Sequence, residues 1–227
     1  MEVNYHPNLS QLKNLENWLK EEQQKFNQGF YCNWQIIKDC YAKSRLILFS
    51  DDSIIVGFLA WSSYSNYVNI DLMEIHPAYR GNGIGSTFYG IVERHFVAEN
   101  KIAIKLFCEP EESENFWKKM GFRKFPNRGY SESQLTYYKP LINVCEPSDV
   151  GMSDRLELWN AEPHQVKNSA PKWIWNVNEK MDPILQPANG DWNLKLTRDG
   201  IAVKEDKVKY FSNTDDLLIG PFLYFKL

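Results

Sequence analysis

The stretch Asp71-Leu72-Met73-Glu74-Ile75-His76-Pro77-Ala78-Tyr79-Arg80-Gly81-Asn82-Gly83-Ile84-Gly85-Ser86 decides how this chain reads. A strand ends at Pro77, and three glycines then fall within the five positions from Gly81 to Gly85. An apolar stripe at helical spacing follows at once, through Phe88, Ile91, Val92 and Phe96. A strand therefore feeds a glycine-dense turn that opens a helix from about Gly83 to Glu99. Glycine lets the backbone take positive φ and lets a ligand approach closely. The first N–H groups of the helix lack internal partners and sit at the positive end of its dipole, which suits a phosphate. Arg80 adds a positive charge beside them. Two common phosphate motifs are excluded. No Gly-Lys-Ser/Thr ends the turn, as a P-loop requires, and a dinucleotide fingerprint counted from Gly81 or Gly83 meets Ser86 or Phe88 where glycine or alanine is needed. A tight turn with no ligand is the plain alternative, and this glycine density beside an arginine argues against it.

Working outward, Asn8 is placed to cap a helix with Leu9, Leu12, Leu15, Trp18, Leu19 and Phe26 at helical spacing, and a second helix covers Trp34–Ala42. Arg45–Ser50 and Ser53–Ser63 read as a hairpin joined at Asp51-Asp52, with Tyr67–Ile75 as the next strand. Strict alternation along that strand puts Asp71 on one face with Asn69 and Met73, and Glu74 on the other. Ile102–Cys108 reads as a strand buried on both faces, and Ser113–Met120 as a short helix closed by Gly121. Phe122–Phe125 and Gln134–Tyr138 read as late strands. This order predicts one mixed α/β (α+β) domain over residues 1–142. Residues 143–227 lose helical periodicity: Trp192–Leu196 alternates, Arg198-Asp199-Gly200 turns into Ile201–Val203, and Val208–Phe211 and Phe222–Phe225 are further strand candidates. They predict a small β-rich C-terminal module, with Trp159, Trp173, Trp175 and Trp192 mostly in its core.

The strand–turn–helix unit resembles the GNAT superfamily of acyl-CoA-dependent N-acetyltransferases, whose Arg/Gln-x-x-Gly-x-Gly/Ala signature is matched by Arg80, Gly83 and Gly85. A second family feature, a helix ending in an aromatic–basic–Leu/Met-Gly-Phe run, is matched by Phe116-Trp117-Lys118-Lys119-Met120-Gly121-Phe122. The resemblance covers about residues 1–140. It implies a mostly antiparallel central sheet flanked by helices, with acetyl-CoA as co-substrate; His6, His95 and His164 are isolated, with no HExxH or Cys/His ligand spacing, so no metal is expected. The diphosphate would lie on the backbone of Arg80, Gly81, Asn82, Gly83, Ile84, Gly85 and Ser86. The pantetheine arm would pair along the strand at Met73 and Ile75 and pack against Trp117, pointing the acetyl group into a gap beside Ile102–Cys108.

Acetylating an amine needs a neutral nitrogen and a proton returned to the departing thiolate. Asp71 stands where polyamine-acetylating relatives carry a glutamate. It reads either as the base or as a carboxylate that bonds backbone or a cationic substrate; Glu74 is a weaker candidate. Many relatives place a tyrosine acid where this chain has Trp117, and an indole N–H cannot give up its proton at usable pH. Proton return then falls to water, to the substrate ammonium, or to Tyr137 or Tyr138, with Tyr138 taken as the catalytic candidate. Cys108 reads as an apolar filler before a nucleophile, and His76 as a turn residue.

A net charge of −3, from 26 basic and 29 acidic residues, argues against nucleic acid as a partner. The longest apolar stretch, near Ile54–Trp61, is far short of a membrane span. Cys32, Cys40, Cys108 and Cys145 are widely spaced and read as reduced thiols, and with no signal-like N-terminus the expectation is a cytoplasmic protein. The leading function is acetyl transfer to an amine on a small molecule, peptide or protein. A non-catalytic acyl-CoA sensor and an interaction protein using the C-terminal module are the alternatives. No residue pattern fixes the acceptor or the oligomeric state.

Overall fold

The computed structural model describes residues 1–27, 29–130, 134–167, 169–211 and 217–226. Two compact units emerge: Met1–Arg123 with Tyr137–Leu141, and Lys124–Thr136 with Ile142–Leu227.

The first unit opens with a short strand absent from the sequence reading, β1 (Glu2–Asn4), then α1 (Leu9–Phe26). The Asn8 side chain accepts from the Gln11 N–H, and the Gln11 side chain accepts from the Asn8 N–H, which closes a capping box. The other elements are α2 (Trp34–Ala42), β2 (Leu46–Asp51), β3 (Ile54–Ser63), β4 (Tyr67–Ile75), α3 (Ile84–Ala98), β5 (Ala103–Phe107), α4 (Glu114–Lys119), β6 (Arg123–Lys124) and β7 (Thr136–Pro140). The β2–β3 turn centres on Asp52-Ser53, at φ 44° and 69°, one residue later than expected, because a two-residue hairpin needs positive φ at both central positions.

Seven strands form one sheet in the order β1-β2-β3-β4-β5-β7-β6. β1 through β4 pair antiparallel, and β4 with β5 is parallel. The helices α1 and α2 cover one face, packing Leu15, Leu19 and Ile37 with Leu48, Phe58 and Leu72. On the other face α3 stacks Phe88 on Phe49 at 4.9 Å and sets Phe96 edge-on to Trp61, also at 4.9 Å. Apolar burial on both faces is what holds the sheet in this register. Among the described residues no helix is long and apolar enough to cross a membrane.

β4 carries a bulge. Ala60 pairs with Leu72 and Trp61 with Ile70, which leaves Asp71 as the extra residue. The bulge shifts the alternation by one. Ile70 faces α3 with its neighbour Trp61, whereas Leu72 faces α1 and α2. Beyond the bulge β4 also loses β5, whose pairing stops at Ile70–Leu106.

The second unit contains β8 (Arg155–Leu158), β9 (Trp173–Asn176), β10 (Ile184–Pro187), β11 (Asn193–Arg198), β12 (Ile201–Lys207), α5 (Val208–Phe211), β13 (Leu218–Ile219) and β14 (Phe222–Phe225). Two sheets result, β12-β11-β8-β9 and β10-β14-β13. Val208–Phe211 is a helical turn and not a strand, since its buried residues, Val208 and Phe211, stand three apart. Trp175 and Trp192 lie in the core with Leu156, Leu194 and Leu223, and Trp173 stacks on Trp192 at 5.6 Å.

Residues 124–130 belong to this unit by specific bonds. The buried Arg128 guanidinium donates to the carbonyls of Ala188 (2.7 Å) and Pro221 (2.9 Å) and lies over Phe125 and Tyr130. Asn189 donates to the Arg128 carbonyl at 2.7 Å and accepts from Tyr130 Oη at 2.9 Å. A chain ending at Leu141 removes Ala188, Asn189 and Pro221, and with them these partners of a buried cation. Limited proteolysis of that truncate is expected to cut within 124–136 at low protease doses that leave the same segment of the full chain intact; equal resistance would contradict the assignment.

Candidate active site

The turn after β4 is built by backbone geometry. Pro77–Tyr79 form a single 3-10 turn, with the Ala78 N–H donating to His76 Nδ1 at 3.2 Å. Gly81 and Gly83 sit at φ 85° and 77°, and a Cβ on either would meet nothing within 4 Å. These two glycines are needed for φ and not for room. Gly83 caps α3 without any side-chain bond, and Thr87 is the first residue whose N–H finds a helical carbonyl, that of Gly83 at 3.0 Å. The N–H groups of Ile84, Gly85 and Ser86 are thereby left at the mouth of the turn, an anion site by geometry.

Gly85 has a different role. A Cβ there would come within 3.4 Å of both Ile75 Cγ1 and Phe116 Cε2, so glycine lets α3 sit close against β4 and α4. Phe116 of α4, and not Trp117, is therefore the member of the family run that borders the turn. Trp117, one position later, is buried against Phe116, Phe122 and Tyr89, with ring centroids at 4.9, 5.1 and 5.6 Å.

Arg80 is tied down. Its Nε donates to the Ile75 carbonyl at 2.7 Å, and its Nη2 donates to Glu74 Oε1 at 2.8 Å and Glu22 Oε1 at 3.2 Å. Glu22 also accepts from Trp18 Nε1 at 2.9 Å. Burial, then the neighbouring Glu22, pushes the Glu74 carboxyl up to about 7 against the pull of Arg80. Burial also lowers the His76 imidazole below its ordinary value. The sequence carries a signal for Glu22: it continues the stripe of Leu15, Trp18 and Leu19 that α1 buries, a charged residue on a buried face.

The bulge corrects the expected faces of β4. Asp71 lies with Asn69, Leu72 and Glu74 on the α1/α2 side, and Met73 lies with Ile75 on the α3 side, because the inserted residue resets the period. The His76 N–H donates to Val56 of β3 at 2.9 Å. By alternation the backbone groups of Met73 and Ile75 point to the open side, where Arg80 takes the Ile75 carbonyl. Asp71 accepts from Ser62 Oγ at 2.6 Å, Asn69 Nδ2 at 2.7 Å and Cys40 Sγ at 3.8 Å. Burial, then Asp71, pushes the Cys40 thiol up to about 11, so it stays a thiol. Phe107, read as buried, is 47% exposed because β4 no longer runs beside it.

On β7, Tyr137 donates to Glu114 Oε1 and its hydroxyl is pushed up to about 12, by burial first. Lys139 binds Glu93 at 2.7 Å on the same side. The buried Tyr138, between them, faces the opposite side, the one that carries Asp71. Cys108 is fully buried. Among the described residues no group of three or more His, Cys, Asp or Glu could hold a metal ion.

Gly83→Ala is expected to lower stability by about 1–2 kcal/mol, the cost of a left-handed conformation for an L-residue. Gly83→Asn should cost less, since asparagine tolerates that region. Urea denaturation of the two variants tests this, and equal losses would contradict the conformational origin.

A sequence model described as the acetyltransferase (GNAT) family matches residues 9–122. Among solved structures, the GNAT family N-acetyltransferase YhbS from Escherichia coli is 11% identical, with a TM-score of 0.50 over 62% of this chain and 81% of that one. Ard1 from Thermoplasma volcanium is 20% identical, with a TM-score of 0.49 over 63% of this chain and 98% of that one. A GNAT family acetyltransferase from Staphylococcus aureus MU50 is also 20% identical, with a TM-score of 0.49 over 62% and 100%. No curated protein matches the sequence. At 11% identity the likeness to YhbS speaks to fold alone, and the family assignment rests on the sequence model. That model runs from the start of α1 to Phe122, across the bulged strand and the glycine turn, and the chain belongs to the GNAT acetyltransferase family.

Proposed function

We propose that this protein is an N-acetyltransferase that moves an acetyl group from acetyl-CoA to the amine of a small molecule, peptide or protein by direct attack in a ternary complex. The observation that carries this reading is continuity: the open edge of β4 runs straight into a turn that opens an uncapped helix start. An extended chain ending in a diphosphate fits both. YhbS, whose fold this chain shares, was crystallised with CoA.

Acetyl-CoA supplies the activated thioester, and the protein supplies position. The N–H groups of Gly81 to Ser86 hold the diphosphate, with Arg80 bracing the turn from inside. The backbone at Met73 and Ile75 pairs with the pantetheine arm, and Phe116 walls the turn. Asp71 receives the acceptor nitrogen and its proton, its oxygens oriented by Ser62, Asn69 and Cys40. Tyr138 returns a proton to the thiolate from the same face. Exposed Phe107 offers apolar contact to the acceptor. The four free thiols fit a reducing compartment such as the cytoplasm.

A sensor that binds acyl-CoA without turnover is the second reading, favoured by the burial of Trp117 where relatives place an acid. One assay separates the two. The protein is incubated with acetyl-CoA and a mixed pool of amines and peptides, with free thiol and acetylated products followed. Amine-dependent thiol release is expected. Asp71→Asn and Tyr138→Phe should each lower kcat on the order of 100-fold, a usual size for loss of an acid or base, while KM for acetyl-CoA stays within about threefold. Saturable binding with no thiol release across the pool would overturn catalysis in favour of sensing.

A further inference from the structure

Arg80 leads directly into the turn, and its half-exposed guanidinium binds two buried carboxyl groups from different elements, Glu22 on α1 and Glu74 on β4. Both carboxyls are more than nine-tenths buried. Glu22 lies under Gly29, where an added Cβ would be 3.2 Å from its Cδ and its Cγ. Glu22 has a donor on each oxygen, Trp18 and Arg80. Glu74 does not: Oε1 takes Arg80, while the buried Oε2 has no donor. A bare carboxylate oxygen in such a place is costly, whereas a protonated one becomes a donor toward its Glu22 neighbour.

Besides Arg80, the one other counterweight is the Phe30 backbone N–H, which pulls the Glu74 carboxyl down by less than burial and Glu22 raise it. Across the sheet from Glu74 stands Phe58 of β3, and the loop beside it supplies Gly29 and Phe30. From α1 come Glu22 and the indole of Trp18, with Glu21 and Lys25 acting on nearby His76. From the turn come His76 and Arg80. One fixed cation thus faces two acids. With one proton on the pair the cluster is neutral; without it, the cluster carries one negative charge at the base of a turn meant for a diphosphate.

We propose that the Glu74 carboxyl holds a proton against Glu22 beneath Arg80, and that filling the turn with a diphosphate tightens the hold on this proton. The pair then positions Arg80 and links coenzyme binding to pH. This inference rests on the coenzyme A reading of the turn. The sign follows from charge. A polyanion in the turn favours the neutral pair, so binding takes up a proton and is strongest at low pH. Affinity weakens as pH rises through about 7, where Glu74 ionises. Glu22 and Glu74 are positioning residues here, since they act through Arg80.

The test is calorimetric titration of the full chain with dephospho-coenzyme A, which lacks the 3′-phosphate and its own titration. Running it in buffers of different ionisation heat counts the protons bound. Near neutral pH the wild-type protein is expected to take up a fraction of a proton per site, and Kd is expected to rise on the order of tenfold from acid to alkaline pH. Glu74→Gln mimics the protonated acid and should bind with no linked proton and a flat pH profile at the low-pH affinity. A flat wild-type profile without proton uptake overturns the proposal whether or not the variant folds. So does a folded Glu74→Gln protein that keeps the wild-type proton count. No binding by folded wild-type protein at any pH overturns the coenzyme A reading, and the proposal with it.

Discussion

β4 is paired on both sides only as far as Ile70, and most of the site follows from that limit. One inserted residue, Asp71, turns the rest of the strand by half a period. The segment from Asp71 to Ile75 keeps β3 on one side and, among the described residues, pairs with no strand on the other, where Arg80 takes the Ile75 carbonyl. Backbone N–H and C=O groups in that state need a partner of extended shape. The same half-turn brings Glu74 to the α1 side, where Arg80 and Glu22 meet it, and sends Ile75 to the α3 side, where Gly85 makes room. A regular strand would scatter these contacts.

The sequence was most legible where one residue type has one physical use. Asn8 marks a helix start because its side chain can accept the Gln11 N–H, and the turn is visible because only glycine readily sits at φ 85° and 77°. The bulge was not legible, since it is defined by the pairing of β4 with β3 and not by any residue within β4. For that reason the strand and its acid were found but the face of the acid was misjudged. Trp117 holds a place in a family pattern, yet its ring fills core space beside Tyr89, leaving Phe116 to border the turn.

The C-terminal half shows the same division. Trp192 to Leu196 alternates and forms much of β11, and Phe222–Phe225 matches β14. The strands β8, β9 and β10 are only four residues each, too short for a pattern to stand out, and β10 ends on Pro187, which its place at the sheet edge tolerates. Its tryptophans make a core, so this unit needs no partner to account for its aromatic content. What it does hold is the segment 124–130, gripped through Arg128. No composition shift near residue 124 announces that a loop of the first half folds with the second.

Amide hydrogen exchange with and without coenzyme A tests the central claim most directly, because it reads the backbone groups on which the account depends. The account predicts slower exchange on binding at Gly81 to Ser86 and at Met73 and Ile75, with little change in the second sheet of the C-terminal unit. Saturated binding that leaves these amides exchanging at their free rates would contradict it.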